Sequence, residues 1–236
     1  MIEVKDLRKE YLDDSVKTVA LDGVSFNIEK GEFLAIMGPS GSGKSTLMHI
    51  MGFLDRPSSG IFKFEGQGIE ELNDDQLAFI RNNKLGFIFQ FFNLLPRTSV
   101  FENVKLPLIY TKISEEEKQQ RVEKAIASVG LSHRSKHLSN QLSGGEQQRV
   151  AIARAIVNDP EVIFADEPTG NLDSKSGQQI METLQNLNDQ GHTIILVTHE
   201  LYTAEMAKRI IKLKDGQIVS DEIIRDRKIA KNGLIK

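Results

Sequence analysis

The stretch GPSGSGKST, residues 38–46, has the residue types and spacing of a loop that holds phosphate. It follows the run EFLAIM and precedes LMHIMG, so G-x-x-x-x-G-K-[ST] falls between a predicted strand and a predicted helix. Its glycines let consecutive backbone N–H groups curl around an anion with no Cβ in the way, and the helix start adds roughly half a positive charge. Gly38, Pro39, Ser40, Gly41, Ser42, Gly43 and Thr46 form the cradle. Lys44 reaches the β- and γ-phosphates, and the Ser45 hydroxyl is offered to Mg²⁺. A second stretch, EVIFADEP, ends an apolar run in two acids. Asp166 at the strand end is placed to hold Mg²⁺, and Glu167, one residue on, to polarise a water attacking the γ-phosphate.

The elements that must position these residues are legible as alternating patterns. IEVKDL, VSFNIEK and FLAIMG are short strand-like runs separated by breakers such as Asp-Gly and Lys-Gly, and GIFKFEGQGI adds a strand pair. From about residue 94 to 158 the pattern is helical. ISEEEKQQRVEKAIASVG opens with a capping box from Ser114 to Glu117, closes at Gly130, and sets Val122, Ile126 and Val129 on one face. After residues 158–160, EVIFAD and TIILVTHE read as strands buried on both faces. Between them, a helix from about Ser174 to Gly191 carries Ile180, Leu184 and Leu187 on one stripe. RIIKLKDGQIVS is a hairpin turning on Asp215-Gly216. Strands alternating with helices predict a parallel α/β sheet, and the helical middle reads as an insertion into it.

Composition narrows the partners. The formal net charge is −3, which argues against nucleic acid as the main partner, since polyanions select basic surfaces. No apolar run approaches the ~18 residues that span a bilayer, and MIEVKDLRKEY has no signal-peptide core. With no cysteine there is neither a disulfide framework nor a thiolate metal site. A cytoplasmic protein is the expectation, and composition leaves open a place on a membrane through a partner.

One octet between the two phosphate motifs needs a reason. LSGGEQQR, residues 142–149, sets two glycines at the start of the helical run EQQRVAIARAI. Ser143 and Glu146 form a capping box, and a helix start with bare N–H groups is also an anion site; both readings stand. With this octet in place the sequence resembles the nucleotide-binding subunit of the ATP-binding cassette (ABC) transporters, from Tyr11 to about Gly216. The octet looks like that family's signature, with Glu146 where Gln is commoner. Gln90 in GFIFQFFNLLP matches the Q-loop, NLDS around Asp173 the D-loop (with Asn171 in place of a smaller residue), and His199 in LVTHE the switch histidine. Tyr11 sits where the family has an adenine-stacking aromatic, though plain packing explains a lone tyrosine equally well. EPTGNLD and QFFNLLP look most like the lipoprotein-release, macrolide-export and antimicrobial-peptide subgroup.

The resemblance implies a fold class and a division of labour. The fold is α/β, a P-loop NTPase (RecA-like) core with an N-terminal antiparallel β subdomain and an inserted α-helical subdomain. Residues 1–91 and 158–225 make the core with its β subdomain, 92–157 the helical signature subdomain, and 226–236 a C-terminal tail. The cofactors are ATP and Mg²⁺. Lys44, Glu167 and His199 are the catalytic residues, and Ser45, Gln90 and Asp166 the metal set. Ser143, Gly144, Gly145, Glu146 and Asp173 contact the ATP of a second copy of the chain in a homodimer. The other partner is an integral membrane permease on whose cytoplasmic side the subunit sits. Phe89, Phe91, Phe92, Leu94 and Leu95 are more apolar surface than one loop hides, and part of them suits a groove for a permease helix. Two rivals remain: a soluble cassette ATPase acting in DNA repair or translation, and an ATP-dependent switch that binds without turnover.

Overall fold

Continuous apolar runs need cover on both faces, and here three of them lie side by side in one sheet. The computed structural model describes residues 1–13 and 16–232. Strands β1 (Ile2–Asp13) and β2 (Val16–Ile28) pair antiparallel, and β3 (Phe33–Met37) leads through the glycine loop into helix α1 (Lys44–Met51). β4 (Ser59–Phe64), β5 (Gln67–Gly68), α2 (Asp74–Asn83) and β6 (Leu85–Ile88) follow. Next come α3 (Val100–Lys105), α4 (Glu115–Ser128) and α5 (Gly144–Ile156). The chain then runs through β7 (Val162–Asp166), α6 (Ser174–Asp189), β8 (Thr193–Thr198), α7 (Leu201–Ala204), β9 (Arg209–Lys214) and β10 (Gln217–Ile223).

The larger sheet has the order β10-β9-β3-β8-β7-β6, parallel throughout except for β10, which returns antiparallel on β9. Its turn is the expected Asp215-Gly216, both at positive φ. Period-two alternation splits the sheet between two cores. Phe33, Ala35, Ile163, Ala165, Ile194 and Leu196 face the insert and α6, whereas Leu34, Ile36, Val162, Phe164, Ile195 and Val197 face α1 and the antiparallel sheet β2-β1-β4-β5. Phe164 is buried and stacks on Phe87 with centroids 5.4 Å apart, so its truncation to Ala should cost about 3–5 kcal/mol. The register sets Met37 beside Thr198 and Val197 beside Asp166, which levels the carboxyl ends of β3, β8 and β7. β8 therefore lies between the phosphate-loop strand and the Asp166 strand.

The insert packs α3, α4 and α5 through Val100, Val104, Val122, Ile126 and Val150, all buried. Two local expectations need correction. No helix is expected between GIFKFEGQGI and residue 94, yet α2 forms there, and Asn73 and Gln76 make a reciprocal capping box at its start. At α4 only half of the expected box forms. Ser114 Oγ accepts from the Glu117 N–H at 3.2 Å, but the Glu117 carboxylate turns away to Arg121 at 2.6 Å. A charged (i, i+4) partner outcompetes a neutral N–H for that carboxylate. Of the segment read as a tail, residues 233–236 lie outside the described residues. The part before them is docked: Ala230 is fully buried, and its N–H donates to Gln185 Oε1 of α6 at 3.0 Å.

Candidate functional site

The glycine loop is shaped by sterics before any ligand enters. Gly43, the N-cap of α1, has φ 97°, and a Cβ there would stand 2.4 Å from the Ala20 carbonyl oxygen, so no other residue fits. At Gly38 a Cβ would meet Leu213 O at 2.2 Å. Lys44 Nζ folds over the loop and donates to the carbonyls of Gly38 and Pro39, each at 2.8 Å. Burial lowers its pKa, while the charges of Glu167 and Asp166 act in the opposite direction. Ser42 is buried inside the loop, whereas Pro39, Ser40 and Ser45 are exposed along it.

At the neighbouring strand ends the acids meet the histidine. Asp166 closes β7, and its carboxyl is held above the usual range by burial and by the adjacent Glu167 charge; Lys44 and His49 pull it down. Glu167 takes a left-handed φ of 43°, with its N–H donated to Val197 O at 2.9 Å. That conformation is rare for a side-chain-bearing residue and marks a position over-determined by its surroundings. Glu167 Oε1 lies 2.8 Å from His199 Nδ1, a pair separated by 32 residues. A carboxylate only accepts, so Nδ1 carries the hydrogen and Nε2 is left to act outward. The His199 side chain is 59% exposed and that of Glu167 22%, so the pair opens to solvent at the histidine.

Gln90 follows β6 and lies against Gly170, where an added Cβ would meet its amide nitrogen at 2.7 Å. Asn171, the departure from the smaller residue, donates to Gln90 O at 3.1 Å and so ties the two loops together. Two residues missed in the sequence reinforce this junction. Gln148, in the signature helix and fully buried, donates to Phe89 O at 3.3 Å and Pro168 O at 2.8 Å. Arg154 donates to Phe92 O and Asn93 O at 2.8 and 2.5 Å, holding a turn in which both residues have positive φ. The only sequence signal was a polar residue at an inward position of α5.

The octet is self-capped. Ser143 Oγ accepts from the Glu146 N–H at 3.3 Å, and the Glu146 carboxylate accepts from the Ser143 N–H and Oγ, each at 2.9 Å. These bonds, the Ser143 N–H first, hold the Glu146 carboxyl below its usual range, and Arg134 adds to them at 3.2 Å. The two glycines differ. A Cβ at Gly145 would stand 2.7 Å from Ser176 Oγ, so close packing requires this glycine; one at Gly144 would make only ordinary contact. Ser176 in turn donates from N and Oγ to Asp173, the N-cap of α6, at 2.9 and 2.7 Å. Ser143, Gly144, Gly145, Glu146 and Asp173 thus form one joined group. Among the described residues no hydrogen bond or ion pair links it to residues 38–46.

Tyr11 lies on β1 opposite Thr18 and is 41% exposed. In the FQFFNLLP loop the apolar side chains divide. Phe92 and Leu94 pack on the core, whereas Phe91 and Leu95 are exposed. Beside the loop runs a groove of about 460 Å³ walled by Phe87, Phe89, Leu106, Pro107 and Ile109. Among the described residues no helix is long and apolar enough to cross a membrane.

Comparison with known proteins gives this geometry its setting. The family model described as ABC transporter matches residues 21–170. The chain is 54% identical over 224 residues to the macrolide export ATP-binding/permease protein MacB of Bdellovibrio bacteriovorus, covering 94% of this chain and 34% of the relative. It is 49% identical over 219 residues to the uncharacterized ABC transporter ATP-binding protein YknY of Bacillus subtilis, covering 93% and 95%. Among solved structures it superposes, with a TM-score of 0.87 and 45% identity, on the dimeric post-hydrolysis state of the ATP-binding cassette MJ0796 bound to ADP and Pi, covering 96% of this chain and all of that one. The chain spans about a third of the length of the MacB relatives it matches.

Proposed function

The chain belongs to the ABC transporter family, and from that premise we propose that it binds and hydrolyses ATP to drive a membrane permease. The observation that carries this reading is the Glu167–His199 pair, held at 2.8 Å beside Asp166 on a strand end level with the Lys44 loop. Backbone N–H groups of the glycine loop, all but Pro39 carrying one, and Lys44 take the triphosphate. In doing so Lys44 exchanges two loop carbonyls for anionic oxygens, a stronger class of hydrogen bond. Glu167 orients and deprotonates the attacking water, and His199, anchored through Nδ1, directs Nε2 at the γ-phosphate. The switch that binds without turnover is disfavoured by the intact pair. The repair and translation reading is disfavoured by relatives named as transporter components.

Ser45, Asp166 and Gln90 are hard oxygen donors of the kind Mg²⁺ takes together with substrate phosphates. Asp166 fits this role, since burial and a like charge leave its carboxyl in need of a cation. Held by these residues, Mg²⁺ would supply charge neutralisation for the transferring phosphoryl group. The octet and Asp173 complete the site of a second copy in a two-fold dimer, as the dimeric MJ0796 cassette supports. The permease docks at the Gln90–Leu95 loop on the cytoplasmic face of the membrane, through Phe91 and Leu95 rather than the core-packed Phe92 and Leu94. The MacB relatives support a place in the export and extraction subgroup.

The test is Glu167→Gln, which keeps size and hydrogen bonding. Phosphate release should fall by about 10²–10⁴ while ATP binding persists. Release at the parental rate removes Glu167 from the chemistry.

A further inference from the structure

Tyr11 is held by polar contacts that none of the steps above uses. Its hydroxyl donates to Asp55 Oδ2 at 2.8 Å. The other oxygen of that carboxylate accepts from Lys9 Nζ at 2.6 Å and from the Arg56 N–H at 2.7 Å. Lys9 Nζ also stands 4.9 Å from the centroid of the Tyr11 ring and donates to Arg56 O at 2.7 Å. Asp55 hangs directly from the carboxyl end of α1, its N–H bonded to His49 O at 3.3 Å. The strand bearing the aromatic is thus tied to the carboxyl end of the helix that begins at the phosphate loop.

An exposed tyrosine without such ties samples several rotamers, and stacking a base on it must first select one. Here the selection is made in the free chain. The hydroxyl is committed to Asp55, the ring is steadied by the Lys9 ammonium, and what remains on offer is an aromatic face. A base needs only that face, because every base has one of its own.

We propose that Asp55, braced by Lys9, is a positioning residue that fixes Tyr11 as the platform for the nucleobase. This rests on the reading that Tyr11 stacks on the base, and it explains what keeps the platform aligned with the phosphate loop. Asp55 touches neither base nor phosphate; it acts through the tyrosine.

The experiment compares binding of Mg²⁺-ATP with binding of Mg²⁺-tripolyphosphate, which has the phosphates and no base, by titration calorimetry. Tyr11→Ala should weaken ATP by about tenfold or more and leave tripolyphosphate unchanged. Asp55→Ala should weaken ATP by about three- to tenfold, again sparing tripolyphosphate, and should raise KM by the same factor while kcat holds. Asp55→Asn keeps an acceptor for the hydroxyl and should recover most of the loss. Tyr11→Phe removes only the hydroxyl and should match Asp55→Ala, with the double variant no worse than either single one; it also serves if Asp55→Ala fails to fold. A purely structural role for Asp55 would lower Tm and leave the ratio of the two affinities where it was. That unchanged ratio, alongside a Tyr11→Ala variant that does change it, overturns the positioning role. If Tyr11→Ala leaves the ratio unchanged as well, the stacking reading itself is wrong, and the proposal falls with it.

Discussion

The phosphate loop and the signature octet are both serine- and glycine-rich helix starts, yet they are built on opposite principles. At the first, Gly41 and Gly43 adopt φ 78° and 97°, no side chain caps α1, and no acid lies in its first turn. At the second, Ser143 has an ordinary extended backbone, its side chain caps α5, and Glu146 sits in the first turn. An uncapped helix start leaves its N–H groups for an anion delivered by its own loop. A capped start is satisfied by itself, and surrenders those bonds only to a stronger acceptor. On the proposed function, one serves as a site within the chain, and the other is a stable end that a second chain's phosphate would have to win.

The sharpest way to break this contrast is to damage each end in a different chain. In a Glu167→Gln background, Lys44→Ala and Gly144→Asp should each fold, and each alone should fail to form an ATP dimer. Mixed, they give one doubly broken site and one intact site, and should retain about one ATP per dimer after gel filtration. If the octet serves its own chain, mixing rescues nothing.

A smaller effect separates the two glycines of the octet. Gly145→Ala should destabilise the chain by about 1–3 kcal/mol, because its Cβ overlaps Ser176, whose own cap on Asp173 would be strained. Gly144→Ala should change stability by no more than about 0.5 kcal/mol. Denaturant midpoints compare them, and Ser176→Gly should rescue the first. Equal midpoints would mean that Gly145 does not pack as described.

The smallest expected effect tests the self-cap. Glu146→Gln should cost about 0.5–1 kcal/mol at pH 7, through the weakened cap and the lost attraction to Arg134. The carboxyl is held below its ordinary pKa, so its stabilisation is complete above the unfolded value of about 4.3 and is lost as pH falls through the folded one. The Tm gap between parent and variant should therefore be constant near neutrality and close in acid. A gap that persists there would assign the cap's contribution to neutral hydrogen bonding.

Much of the molecule was legible along the chain because its determinants are local. The phosphate loop, the Asp166 strand, the Asp215-Gly216 turn and the Ser143–Glu146 cap each span a few residues, and their φ demands or periodicity are written in residue type. Helix α2 belongs to this class, since Asn73 and Gln76 carry its cap. Other features were decided by tertiary structure alone. Parallel strands are joined by long crossovers, so no local signal says that β8 separates β3 from β7, or that His199 reaches Glu167. Gly145 is required by a serine on another helix, Gln148 and Arg154 are read only through the loops they hold, and Tyr11 owes its fixed hydroxyl to Asp55, 44 residues away. In FQFFNLLP the sequence counts apolar residues but cannot aim them. Phe92 and Asn93 both turn through positive φ, which breaks any periodic alternation and leaves packing to choose which side chains the core takes.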